Sequence, residues 1–141
     1  SVTLSIGYGT FSSIRSEDVE GHEIHPEEYR LGGETAAAVA AARDCGGRVV
    51  AVGTTSVRVL ETCAAPDGRV APSFGTTRLF ITPGHRFRAV DVLLTNFHLP
   101  RSSLLALVMA FGGAELIREA YRLAVAERYR FFSYGDAMLV F

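Results

Sequence analysis

The stretch VVAVGTTSVRVLE, residues 49–61, confines the chain more than any other. A β-branched apolar string passes through Gly53 and three hydroxyl residues into a helical pattern, which predicts a strand that turns at once into a helix. The stretch LLTNFHLPRSS, residues 93–103, has the same form. There a strand delivers Thr95, Asn96 and His98 into a loop with Pro100, and Ser102 or Ser103 caps the helix that follows. Strands feeding helices in this way indicate an α/β fold, a mixed sheet with flanking helices. Ligands of open α/β sheets settle at the carboxyl ends of the strands, so two such corners in one sheet would bring their polar groups to one edge.

The rest of the chain fits around these corners. Residues 2–8 alternate apolar and hydroxyl side chains and read as a half-buried strand, whereas residues 16–29 are acidic and irregular. An alanine-rich helix over residues 35–44 stops at Gly46-Gly47. Residues 49–52 read as a strand covered on both sides, followed by a helix from Ser56 to about Ala64 and a loop over residues 65–77. Residues 79–82 and 89–95 read as strands. The helix after Ser102 is apolar nearly all round and predicts burial; the next carries an apolar stripe of Leu116, Ile117, Ala120, Tyr121 and Ala124. YRFFSYGDAMLVF closes the chain as two strands around a Gly135-Asp136 turn. Neither a repeat nor a low-complexity linker interrupts the sequence, so residues 1–141 are expected to form one domain.

Composition removes several classes. Charged residues are 21% and apolar residues 48%, unlike a disordered chain. The longest apolar run, residues 104–111, is less than half of what a bilayer requires, and no signal segment opens the chain; a cytoplasmic protein without membrane contact is expected. Cys45 and Cys63 are isolated, which argues against a disulfide scaffold or a structural zinc. Charge is uneven: seven acids stand against Arg30 between Glu17 and Glu34, while Arg69, Arg78, Arg86, Arg88 and Arg101 stand against Asp91 between Arg69 and Arg101. A solvated face and a contact with RNA phosphates both fit the arginine cluster.

Two readings of Gly53, Thr54, Thr55, Ser56 and Arg58 are open. Thr55 or Ser56 caps the helix, or amides, hydroxyls and a guanidinium gather to hold an anionic or richly hydrogen-bonding ligand. The stretch has neither a P-loop lysine nor dinucleotide-fold glycine spacing. His98 follows a strand end and its ordinary pKa of about 6.5 suits proton transfer. His22 and His25 stand three apart among carboxylates, with no clear third metal ligand. His85 reads as a turn residue, and Asp136 as a turn former.

In order along the chain, GYGTF (residues 7–11), the His22/His25 pair, GGRVVAVGTTSVRVLET (46–62), FITPG (80–84), DVLLTNFHLPRSSLLALV (91–108) and YRFFSYGDAMLV (129–140) resemble the C-terminal part of the S-adenosylmethionine:tRNA ribosyltransferase-isomerases of queuosine biosynthesis. VGTTSVR, TNFHLP and FFSYGDAM together are highly specific. The resemblance implies transfer and isomerisation of the ribosyl moiety of S-adenosylmethionine onto the aminomethyl-deazaguanine at the tRNA wobble position, giving epoxyqueuosine-tRNA and releasing adenine and methionine. It implies a base that removes a proton beside the sulfonium, and no metal or redox cofactor, S-adenosylmethionine being the co-substrate. It makes Gly53, Thr54, Thr55, Ser56, Arg58, Thr95 and Asn96 candidates for holding donor or nucleobase. His98 becomes the candidate proton-transfer group with His25 as its rival, Asp136 a further catalytic candidate, and Arg78, Arg86, Arg88 and Arg101 candidates for tRNA.

The sequence departs from the family pattern at Ser5, where a histidine is usual, in GTT (residues 75–77) and at Thr82 and His85. It also lacks the family's N-terminal half with its inserted β-barrel domain. The expectation is a partial catalytic domain, the C-terminal fragment of a two-domain enzyme, whose missing half is a partner and which alone has little or no activity. The alternative is a noncatalytic RNA- or nucleotide-binding module diverged from the family.

Overall fold

The computed structural model describes residues 1–5 and 25–141; His22 and the GYGTF segment lie outside them. In chain order the described elements are β1 (Val2–Ser5), β2 (Glu27–Leu31), α1 (Gly33–Asp44), β3 (Val50–Val52), α2 (Thr54–Thr62), β4 (Ser73–Thr77), β5 (Val92–Asn96), α3 (Ser103–Gly112), α4 (Ala114–Ala126) and β6 (Ala137–Val140). The fold is α/β, with two three-stranded sheets among the described residues where the sequence suggested one. The first sheet, β1-β2-β4, is antiparallel throughout. The second, β3-β5-β6, is mixed: β3 runs parallel to β5, and β6 runs antiparallel to it.

Helix α2 packs against strands of both sheets and is therefore buried on more than one face. Five consecutive residues, Val57 to Glu61, are buried, and Val57 and Val59 are fully enclosed. Each of those valines stabilises the fold by roughly 1.5–3 kcal/mol relative to exposure. The same burial takes in Arg58 and Glu61, whose charges must then be satisfied inside the protein. Leu31, Ile81, Leu93, Leu107 and Val108 complete the centre of the core.

Several boundaries differ from the sequence pattern, each for a local reason. Part of the acidic stretch is strand β2: Glu27 and Leu31 point inward while Glu28 and Arg30 stay exposed, so an inward glutamate masks the alternation. The end of the expected 65–77 loop is β4, paired to β2 with Leu31 opposite Ser73. Residues 79–82 are not a strand, because the backbone bonds elsewhere: Leu79 N–H donates to Thr77 Oγ1, the Leu79 carbonyl accepts from Arg58, and the Thr82 carbonyl accepts from His85 N–H. The closing segment forms one strand rather than two, since Phe132 N–H donates to the Phe97 carbonyl and Asp136 holds Arg130.

Strand β3 is covered on one face only. Ala51 is buried, but Val50 and Val52 are 54% and 66% exposed, and Leu139, in register with Val52 through Leu94, is 55% exposed. The stripe on α4 is likewise narrower than its sequence suggests: Ile117 and Ala124 are buried while Leu116 is exposed. Among the described residues no helix is long and apolar enough to cross a membrane.

Candidate functional site

Strands β3 and β5 are parallel neighbours, so their carboxyl ends, and the helices α2 and α3 that follow them, open on the same side. A cavity of about 340 Å³ lies there. Thr54, Thr55 and Arg58 form its α2 wall; Asn96, His98 and Leu99 come from the end of β5 and the following loop. Ser102 and Leu104 enter at the start of α3, and Phe132 and Ser133 close it from the C-terminal segment.

The first corner is built without a side-chain cap. Gly53, at φ 86° and ψ 146°, occupies the N-cap, a conformation that essentially only glycine accepts, and its N–H donates to the Leu94 carbonyl. The three hydroxyl residues therefore lie inside the helix rather than before it. Ser56 Oγ donates back to the Val52 carbonyl at 2.8 Å and does not line the cavity. Thr54 and Thr55 do, and as residues of the first turn their N–H groups have no intrahelical acceptor. Arg58, 5% exposed, donates through Nη1 to Glu27 and through Nε to the Leu79 carbonyl at 3.3 Å. Its Nη2 is buried with no hydrogen-bond partner among the described residues.

The second corner closes on itself. Ser102 Oγ accepts from Leu105 N–H at 3.1 Å and donates to the Leu99 carbonyl at 2.7 Å. His98 Nε2 meets the buried Thr95 Oγ1 at 2.9 Å, and His98 N–H donates to the Tyr121 hydroxyl at 2.8 Å. Burial in this loop lowers the imidazole to about 4, so it is uncharged at neutral pH. Burial also raises the Tyr121 phenol, against a smaller lowering effect of the bond from His98. Asn96 Nδ2 donates to the Asp136 carbonyl at 3.4 Å, tying the loop to the closing segment.

Phe132 stands at φ 69°, a strained conformation for a bulky residue, and keeps its ring half exposed at the cavity. Phe131 beside it stacks instead on the buried Phe97.

The structure thus gathers Thr54, Thr55, Arg58, Asn96 and His98 on one cavity, with Gly53 and Thr95 supporting its two corners. The other candidates lie apart. Asp136 is held by Arg130 through Oδ1 and Oδ2, and those hydrogen bonds keep its carboxyl below its ordinary value; it does not line the cavity. His25 is exposed just ahead of β2, also away from the cavity lining. Arg78, Arg86, Arg88 and Arg101 are exposed and none lines the cavity.

The sequence pattern did not single out Glu27, Glu61 or Phe132. Buried Glu61 accepts the N–H groups of Arg88, Ala89 and Val90, fixing the loop that carries Arg86 and Arg88, and His85 Nε2 lies 3.7 Å from it. Only Glu27 offered a local signal, the Glu-x-Tyr-x-Leu alternation of β2.

A family model described as queuosine biosynthesis protein matches residues 1–140. Over 139 residues the chain is 63% identical to an S-adenosylmethionine:tRNA ribosyltransferase-isomerase of Anaeromyxobacter sp. (strain Fw109-5), covering 99% of this chain and 40% of that protein. It is 58% identical to the protein of that name from Ralstonia nicotianae, over 99% of this chain and 39% of the relative. The crystal structure of an S-adenosylmethionine tRNA ribosyltransferase from Thermotoga maritima superposes with a TM-score of 0.77 at 53% identity, covering 82% of this chain and 40% of that one. The chain spans about two-fifths of the length of the relatives it matches.

Proposed function

Since the chain belongs to the queuosine biosynthesis protein family, we propose that it forms part of the site at which the ribosyl moiety of S-adenosylmethionine is transferred to tRNA and isomerised. The acceptor in this reading is the aminomethyl-deazaguanine at the wobble position, the product epoxyqueuosine-tRNA, and the leaving groups adenine and methionine. The observation that carries it is the single cavity onto which both strand-to-helix corners open.

His98 is the proton-transfer group of this proposal. Its ring is uncharged at neutral pH, so a sulfonium meets no like charge there, and the bond to Thr95 fixes which nitrogen is turned to the ligand. With Nε2–H donated to Thr95, Nδ1 carries the free lone pair. That nitrogen takes the proton beside the sulfonium, whose positive charge acidifies the neighbouring C–H. Asn96, able to donate and accept, holds a polar edge of the nucleobase, and the exposed arginines meet tRNA phosphates.

Adenine release from S-adenosylmethionine with substrate tRNA tests the proposal. The chain alone is expected to release little; completed with the N-terminal part of a relative it is expected to turn over, and His98→Ala to reduce that rate by about 10²–10⁴-fold. Unchanged release in that variant overturns the role of His98. Retention of tRNA with no adenine release by the completed protein favours the second reading, a noncatalytic RNA- or nucleotide-binding module, which Ser5 in place of the usual family histidine suggests.

A further inference from the structure

The lining of the cavity asks two different things of a ligand. Leu99, Leu104 and Phe132 give one part of the wall an apolar character, whereas Thr54, Thr55 and Arg58 crowd donors onto another. In Arg58, Nε and Nη1 are engaged, but Nη2 is left without an acceptor among the described residues, in a side chain that is only 7% exposed. A buried guanidinium N–H with nothing to bond is costly and rare, unless a ligand supplies the acceptor. Thr54 and Thr55, in the first turn of the nine-residue helix α2, line the same cavity, where the helix N-terminus adds its partial positive charge.

Resting on the donor-binding reading above, we propose that the Thr54, Thr55 and Arg58 part of this cavity is a carboxylate subsite, and that it takes the carboxylate of the methionyl arm of S-adenosylmethionine. Glu27 pairs with Arg58, so what remains is the Nη2 amino group and a helix N-terminus, a set suited to a monoanion. A backbone phosphate of tRNA would have to bring a sugar on either side into a space of about 340 Å³.

The test compares S-adenosylmethionine with its decarboxylated analogue by calorimetric titration of the protein. The expected result is binding about tenfold or more weaker for the analogue, the usual value of a charge-assisted hydrogen bond. Arg58→Lys, which keeps a cation beside Glu27 but lacks the second terminal nitrogen of the guanidinium fork, is expected to weaken the parent ligand alone and so erase the difference. Should that variant not fold, the ligand pair on the unsubstituted protein still decides. Equal affinities for the two ligands overturn the subsite while leaving the donor reading intact. Failure of both to bind overturns the donor reading itself. If Arg58→Lys instead weakens binding of anticodon stem-loop RNA and leaves the affinity for S-adenosylmethionine unchanged, the acceptor is a phosphate and the assignment to the donor is wrong.

Discussion

The two strand-to-helix corners share a sequence plan and are built in opposite ways. At the first, Gly53 supplies the cap position with no side chain, the amides of Thr54 and Thr55 have no intrahelical acceptor, and a buried arginine keeps one donor spare. At the second, Ser102 both accepts from and donates to its own turn, Thr95 meets His98, and Tyr121 takes the His98 amide. The first corner holds unused donors in a rigid frame; the second holds an uncharged ring in a loop whose hydrogen bonds are largely internal. A run of hydroxyl residues before a helix therefore does not establish capping. What decides is whether the cap position itself carries a hydroxyl.

The contrast is most severely tested at Arg58. Its frame depends on the pair with Glu27, whose two side chains are 7% and 2% exposed. Arg58→Met leaves that carboxylate buried without its guanidinium, a loss of about 3–5 kcal/mol in urea unfolding. The double variant Glu27→Gln with Arg58→Met is expected to recover a large part of it, because two neutral groups replace a buried charge that has lost its guanidinium. A loss below about 1 kcal/mol for the single variant would mean that the first corner is not held by this pair.

At the second corner the expected effect depends on pH. Unfolding exposes His98 and returns it to an ordinary pKa near 6.5, while the folded value is about 4. Between those values the unfolded state binds more protons, so stability falls as pH drops from about 6.5 to 4 and levels off below. The contribution is on the order of 2–3 kcal/mol, discounted for the ring's partial exposure. Asp136, held low by Arg130, loses its own contribution only at more acid pH. His98→Gln should flatten the slope of the urea midpoint between pH 7 and 4. An unchanged slope in that variant would show that the ring is more open to water than its surroundings suggest.

Local pattern was enough for the helices and both corners, because each is encoded within a dozen residues. Five cavity residues, Thr54, Thr55, Arg58, Asn96 and His98, follow from those corners. The carboxylates beneath the site do not. Glu27 lies 31 residues from Arg58, and Glu61 binds amides 27 to 29 residues away, separations at which no periodicity connects the partners. Strand β4 was hidden for the same reason: SFGTT has no apolar alternation of its own, and its pairing with β2 makes it a strand. Residues 79–82 show the converse, a β-like string whose amides and carbonyls are claimed by Thr77, Arg58 and His85.

The smallest expected effects separate the two caps. At Gly53 no atom lies within 4 Å of the point where a Cβ would stand, so Gly53→Ala meets only the torsional penalty at φ 86°, about 1–3 kcal/mol. At Ser102 the hydroxyl itself is the cap, and Ser102→Ala should cost about 1 kcal/mol by leaving Leu105 N–H without its acceptor. Ser102→Gly is the sharper substitution, since it makes the second corner resemble the first. Glycine caps cost only a few tenths of a kcal/mol relative to serine. If Ser102→Gly is as damaging as Ser102→Ala, the bond from Ser102 Oγ to the Leu99 carbonyl matters more than capping. The second corner is then held by its loop rather than by its helix, and the cavity residues Leu99 and His98 should loosen together in hydrogen exchange.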